Sequence, residues 1–269
     1  MLGEPLKIGL MCSGTIFEAW QAKAIKELLN IPNIKIALLI LNDNASEGIV
    51  KKLFKLKLQH LLWTLYYQFV KKIALSNKMV DIGNHLVAVP RMRCKTKRSG
   101  KYTESFNDSD ISQIKVYDLD VIVRFSFNII SGKILSVSKY GVWSYHHGDN
   151  QKYRGFPSCF WEIYYGDRIT GAILQKLNEK LDDGQILYKG FFKTELDSYA
   201  KSKDLVHMGS SNWIGYVCKE IISSGEISVK VPMKPSNAPI YKRPNNIQML
   251  KYLSGTNKWF DRKVISKRV

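Results

Sequence analysis

Two apolar runs, Leu6–Ser13 (LKIGLMCS) and Ile34–Leu41 (IKIALLIL), flank a stretch with helical spacing, Phe17–Asn30. This triplet constrains the fold more than any other pattern, because apolar strands joined through a helix pair in parallel and need cover on both faces. Further along, Leu119–Phe125 and Val142–His147 read as buried strands with a helix around Gly132–Ser138 between them. Thr170–Leu177 and Ile186–Lys193 read as two strands flanking the acidic turn NEKLDDGQ. His85–Pro90 (HLVAVP) is expected to be a strand, Arg91–Asn107 a basic loop, and Asp108–Tyr117 a helix capped by Asp108 or Ser109. Pro157–Gly166 has Pro near its first turn and Gly at its end, where helices prefer them, and Ser198–Ser223 reads as one helix. The expected class is α/β with a mostly parallel central sheet.

A chain of 269 residues with 45% apolar and 24% charged side chains buries a substantial core, which argues against long disorder. Its 41 Lys and Arg against 23 Asp and Glu give +18, favouring acidic partners such as phosphates, nucleotides, nucleic acid or anionic membrane. Cys12, Cys94, Cys159 and Cys218 are scattered without ligand spacing, so no zinc site or other metal site and no disulfide framework is expected. Reduced thiols, no leader-like segment and no run of about 18 apolar residues lead us to expect a cytoplasmic protein. Ile49–Ser76 stands apart, with lysines at 51, 52, 55, 57, 71 and 72 around a Leu-, Trp- and Tyr-rich centre. It reads as one long helix or two short ones, either with lysines on a solvated face and the apolar face on the sheet, or as a peripheral membrane or protein contact.

The stretch Gly141–Gly155, GVWSYHHGDNQKYRG, ends a predicted strand in two histidines. Ligands of such sheets sit at the carboxyl ends of strands, and strand alternation sends His146 and His147 to opposite sides. Imidazole exchanges protons near neutral pH, and the turn Leu181-Asp182-Asp183-Gly184 supplies a carboxylate to orient it or hold a water.

Together these segments resemble the signature of the 10-formyltetrahydrofolate-dependent formyltransferases, roughly G-x-x-N-x-H-x-S-L-L-P-x-x-R-G followed by an L-D-x-G turn. Gly141, His146, Tyr153, Arg154 and Gly155 fall on the first motif, Leu181, Asp182 and Gly184 on the second, and their separation is similar to the family's. IGLMCSGTIF, DVIVRFSFNIISGKIL and TGAILQKLNEKLDDGQIL extend the resemblance over most of the first 190 residues. It implies a Rossmann-like catalytic domain over 1–193, with a C-terminal helix and a basic variable extension over 194–269. It also implies transfer of a formyl group from 10-formyltetrahydrofolate, without a metal.

By position, His146 takes the proton-handling role and Asp182 orients it and an ordered water. Ser144 stands where the family has its catalytic Asn, and Gly148-Asp149-Asn150-Gln151 where it has S-L-L-P. Ser144 keeps a hydroxyl donor with a shorter reach, so a water, His147 or Asn150 is expected to assist the oxyanion contact. The resemblance assigns Arg124, Phe125, Ser126, Phe127, Leu181 and Asp182 to the folate pocket. His147, Asn150, Lys152, Tyr153 and Arg154 are expected to meet the acceptor, and basic Lys152 and Arg154 suit a phosphorylated one. The turn after the first strand, Ser13–Phe17, suits the phosphate of glycinamide ribonucleotide poorly. The chain is closest in size to sugar N-formyltransferases, so the expected acceptor is a nucleotide-linked amino sugar. Two alternatives stand beside it: a methionyl-tRNA formyltransferase-like enzyme without the usual C-terminal barrel, and a non-catalytic folate-binding interaction protein, with oligomerisation open.

Overall fold

A computed structural model describes residues 4–44, 58–98, 103–179, 184–227 and 237–255. Seven strands form the central sheet: β1 (Leu6–Cys12), β2 (Ile34–Asn42), β3 (Arg91–Cys94), β4 (Val121–Arg124), β5 (Val142–His146), β6 (Ile169–Lys176) and β7 (Gln185–Lys193). Their order is β7-β6-β5-β4-β1-β2-β3. The pairs from β5 through β4, β1 and β2 to β3 are parallel, while β6 and β7 run antiparallel to their neighbours.

Alternation along the strands sends side chains into two cores. Ile8, Leu10, Val121, Val123 and Trp143 face one, and Met11, Leu38, Ile40, Ile122 and Val142 face the other. Helix α1 (Ala19–Leu29) covers the first face with Ile25 and Leu28, and α3 (Asp108–Lys115) covers the second with Ile111 and Ile114. The remaining helices are α2 (Leu61–Ile73), α4 (Phe160–Tyr165), α5 (Tyr199–Ser210), α6 (Trp213–Ser224) and α7 (Asn246–Ser254). Tyr199, Val206, Ile214, Val217 and Met249 from these later helices enter the same core as α1. At Gly190 of β7 the Trp213 ring lies so close that a Cβ would meet its Cζ2 at 2.6 Å, so this strand and α6 interlock.

Four local expectations are corrected. His85–Pro90 forms no strand: it continues from a 3₁₀ turn at Gly83–His85, and Val87 is 74% exposed. The strand is the next segment, Arg91–Cys94, which pairs only with β2 and tolerates exposed Arg91 and Arg93 because it is the sheet edge. The cap of α3 is Asn107, whose side chain accepts from the Asp110 amide at 2.7 Å. Gly132–Ser138 contains a 3₁₀ turn, Lys133–Ser136, in place of an α-helix. Ser198–Ser223 is two helices, because the Tyr145 hydroxyl sits at their junction, donating to the Ser211 carbonyl (2.9 Å) and accepting from the Ile214 amide (3.3 Å). No described helix is long and apolar enough to cross a membrane, and the four cysteines are buried free thiols.

Candidate active site

The site is built on the carboxyl ends of β4 and β5. Their parallel register sets Trp143 beside Val123, so the next residues along, Ser144 and Arg124, come together across the strands. Arg124 Nη2 donates to Ser144 Oγ at 2.9 Å, while Nη1 donates to the carbonyls of Asn128 (2.8 Å) and Phe127 (3.3 Å). The guanidinium is thereby held in one plane at the strand ends. Beside it lies a cavity of about 140 Å³ whose wall includes Trp20, Arg124, Phe125, Ser144 and His147. Two aromatic faces and a fixed cation make this the described place best suited to a flat, polar-edged ring and a carbonyl oxygen.

His146 ends β5 and is half-buried. Its Nε2 lies 3.0 Å from the Tyr153 carbonyl. A carbonyl only accepts, so Nε2 carries the proton and Nδ1 is the basic nitrogen of the neutral ring. The loop between them is folded onto β6 and β7. Asp149 forms an ion pair with Lys189 at 2.7 Å, both side chains largely buried, and its carbonyl accepts from the Lys152 and Tyr153 amides. Gly171 of β6 permits this approach, since a Cβ there would stand 2.8 Å from that of Asp149. The Tyr153 hydroxyl donates to Asp167 at 2.7 Å, and Lys152 Nζ lies 3.7 Å from the same carboxylate. Arg154 sits in a two-residue strand, Arg154–Gly155, paired with Ile240–Tyr241, and Asn150 is buried.

His147 is a buried partner of aromatic rings. It stacks on His207 with ring centres 3.6 Å apart and meets Trp20 edge-on at 4.9 Å. Burial holds both imidazoles well below the usual histidine range, with Lys203 adding to the effect on each. The Nε2 atom of His147 has no protein partner among the described residues, and this ring lines the 140 Å³ cavity. His147 also borders a second cavity of about 10 Å³, room for one water, shared with His146, Arg154 and Glu162.

The structure thus brings Arg124, Phe125, Ser144 and His147 to one cavity, and His146 and Arg154 to its neighbour. Ser126 and Phe127 follow β4 in the loop whose carbonyls hold Arg124. Leu181, Asp182 and Asp183 lie outside the described residues. The ends of their turn, Lys176 and Gln185, pair with each other, and Lys176 stands opposite Trp143, one residue before Ser144.

Three groups escaped the sequence reading. Lys203 and His207 lie four apart on α5, a spacing that could have put both bases on one face. Glu162, 1% exposed, has its carboxyl pushed up to about 8 by burial, with Asp167 and Asp149 adding to it. Because this folded-state value is raised above the ordinary one, its stabilising contribution is complete below the ordinary carboxylate range and is lost as pH rises toward 8 and beyond. Thermal melts of the wild type are therefore expected to fall by about 5 °C or more between pH 6 and 9, and those of Glu162→Gln to stay flatter.

No protein-family model matches the chain. Among curated proteins, a methionyl-tRNA formyltransferase of Prochlorococcus marinus (strain MIT 9515) is 29% identical over 134 residues, 48% of this chain and 41% of that protein. One from Ehrlichia ruminantium (strain Gardel) is 26% identical over 181 residues, 67% of this chain and 57% of its own length. The chain spans less than two thirds of the length of these relatives. Among solved structures, a glycinamide ribonucleotide transformylase of Geobacillus kaustophilus superposes with a TM-score of 0.54 at 12% identity, covering 81% of this chain and 100% of that one. An N-formyltransferase of Helicobacter canadensis, solved with folinic acid and dTDP-3-aminofucose, gives 0.52 at 9% identity over 88% and 71%. The latter two likenesses speak to the fold, a Rossmann-like sheet with its mostly parallel order. In sequence, stretches of the chain are similar to methionyl-tRNA formyltransferases, and its fold is similar to that of solved formyltransferases.

Proposed function

We propose that the protein is an N-formyltransferase that moves a formyl group from a 10-formyltetrahydrofolate-type donor to a primary amine. The observation that carries this reading is the Arg124–Ser144 pair fixed at 2.9 Å beside an aromatic-walled cavity, two residues before His146 on β5. In the reaction, the amine nitrogen attacks the formyl carbon and the carbonyl oxygen gathers negative charge. The bond from that carbon to the donor nitrogen then breaks, while a proton leaves the amine and reaches the donor nitrogen.

Each step has a group in the chain. Nδ1 of His146 receives the amine proton and returns it to the leaving nitrogen. The Arg124 guanidinium, with the Ser144 hydroxyl, faces the developing oxyanion in the role the family gives its Asn. Arg124 is the donor that the sequence reading sought in a water, His147 or Asn150. Asp182 keeps the role of orienting His146 and a water. Trp20 and Phe125 offer the apolar surface for the donor ring, with Ser126 and Leu181 completing that pocket, whereas Phe127, expected there from the sequence, packs on the second core beside Phe106. A space of about 140 Å³ takes in the one-carbon end and part of the ring system.

The acceptor in this proposal is an amino sugar linked to a nucleotide diphosphate. The polar loop Asp149–Arg154 offers exposed Lys152 and half-buried Arg154 to hydroxyls and phosphates, while Asn150 is buried within the loop, and His147 borders the space between loop and cavity. A second reading has a specific observation in its favour: a net charge of +18 together with relatives named for methionyl-tRNA. Incubation with 10-formyltetrahydrofolate and, separately, dTDP- and UDP-linked amino sugars and methionyl-tRNA decides between them. Release of tetrahydrofolate with a nucleotide sugar alone supports the proposal. Turnover with the tRNA alone moves it to the second reading, and folate binding without turnover on any amine leaves a non-catalytic interaction protein.

A further inference from the structure

Helix α2 is apolar on two sides. Trp63 and Val70 are buried, and Leu62, Tyr66 and Tyr67 pack against the core. The other side carries Leu61, Leu65, Phe69 and Ile73, which are 38%, 60%, 58% and 48% exposed. A four-residue step turns a helix by about 40° beyond a full circle, so these four side chains form one gently winding stripe. The buried side of this helix meets Phe160, Tyr199 and Tyr252 of neighbouring helices in place of the expected sheet, and core packing leaves the other side uncovered.

Helix α7 lies against α2, with the hydroxyls of Tyr66 and Tyr252 3.0 Å apart. It repeats the pattern at three-residue spacing, Ile247, Leu250 and Leu253 being 66%, 58% and 55% exposed. Single exposed apolar residues are ordinary on any surface, whereas two stripes on adjoining helices mark a surface that something else covers.

The charged residues on the two helices are of one sign. Lys71 and Lys72 end α2 and Lys251 lies on α7, and neither helix carries an acidic residue. The neighbouring Asp204 is taken up by the amides of Leu75 and Ser76, at 2.9 and 2.7 Å. Lys51, Lys52, Lys55 and Lys57 precede α2 in the sequence. A second copy of a chain with +18 would bring like charges together at this face. Leu, Phe and Ile beside lysines without acids are instead the chemistry of a helix lying in the headgroup region of an anionic bilayer.

We infer that α2 and α7 together form a docking face for an anionic lipid surface. The helices lie on the bilayer and do not cross it, the Leu65–Phe69 stripe entering the boundary of headgroups and acyl chains while Lys71 and Lys72 meet lipid phosphates. The inference is independent of the chemistry at β4 and β5.

Co-sedimentation of the full chain with vesicles tests it, using phosphatidylcholine alone and phosphatidylcholine mixed with phosphatidylglycerol. The expected result is binding to the mixed vesicles, weakened by salt and reduced about tenfold or more in the Leu65→Glu/Phe69→Glu variant. Since both side chains are exposed, the melting curve and formyl transfer to a soluble acceptor are expected to be unchanged in that variant. Lys71→Gln/Lys72→Gln is expected to reduce the preference for phosphatidylglycerol. Equal binding by wild type and the Glu variant, no binding to either vesicle, or a dimer in light scattering that the Glu variant dissolves would each overturn the inference.

Discussion

Formyl transfer by His146→Ala is expected to fall by about 10²- to 10⁴-fold, the usual contribution of a placed proton acceptor. The loss is expected in kcat, with the KM for the donor little changed, because the residue acts on a proton in transit and not on the resting carrier. His146→Gln separates two roles of the ring. Its side-chain amide can still donate to the Tyr153 carbonyl, which His146 now meets at 3.0 Å, but it cannot take up a proton. Steady-state rates that stay low in both variants support proton handling. Rates restored by glutamine would assign His146 to loop positioning alone, and near-normal turnover in the alanine variant would remove it from the mechanism.

A second large effect is expected at Arg124. Removing one donor to a developing oxyanion costs about 10²- to 10³-fold in kcat, and Arg124→Ala is expected to show a loss of that size. Arg124→Lys is expected to rescue little, because lysine cannot reproduce a planar fork shared among Ser144 and the carbonyls of Phe127 and Asn128. Ser144→Asn keeps an acceptor for the guanidinium and restores the family's own residue, so activity is expected to hold or rise. Single-turnover rates with saturating donor check all three. Full kcat in Arg124→Ala would return the oxyanion contact to Ser144 or a water, while a collapse in Ser144→Asn would show a pocket shaped around serine.

How much of this was legible in the sequence depended on the range of the interactions. The inner strands β1, β2, β4 and β5 announced themselves because both faces are buried and the runs are almost wholly apolar. The edge strand β3 did not, because a strand with one neighbour carries Arg91 and Arg93 in solvent, and the apolar HLVAVP beside it drew the assignment away. The break between α5 and α6 was hidden for a similar reason: its cause, the Tyr145 hydroxyl, lies far away in the sequence. At the site, motif spacing singled out Ser144 and His146 on one strand. The partnership of Ser144 with Arg124 needed the register between β4 and β5, which no local pattern encodes. The double-sided α2 was visible only as a lysine-flanked apolar segment, since sequence cannot say which of two apolar faces meets the core.

The interlock of Trp213 with Gly190, and of His207 with His147, bears on how the protein is made. A ribosome that has emitted residues through Lys193 has released every strand of the central sheet, together with Ser144 and His146. Tyr199, Val206, Ile214 and Val217 are still to come, and until they arrive one side of that sheet and the Trp20 wall lack part of their cover. The nascent sheet therefore waits with apolar surface open, a state that holding chaperones recognise and in which premature release invites aggregation. Completion of the proposed site is in this sense a late event of translation, timed by α5 and α6 more than by the strands that carry Arg124, Ser144 and His146.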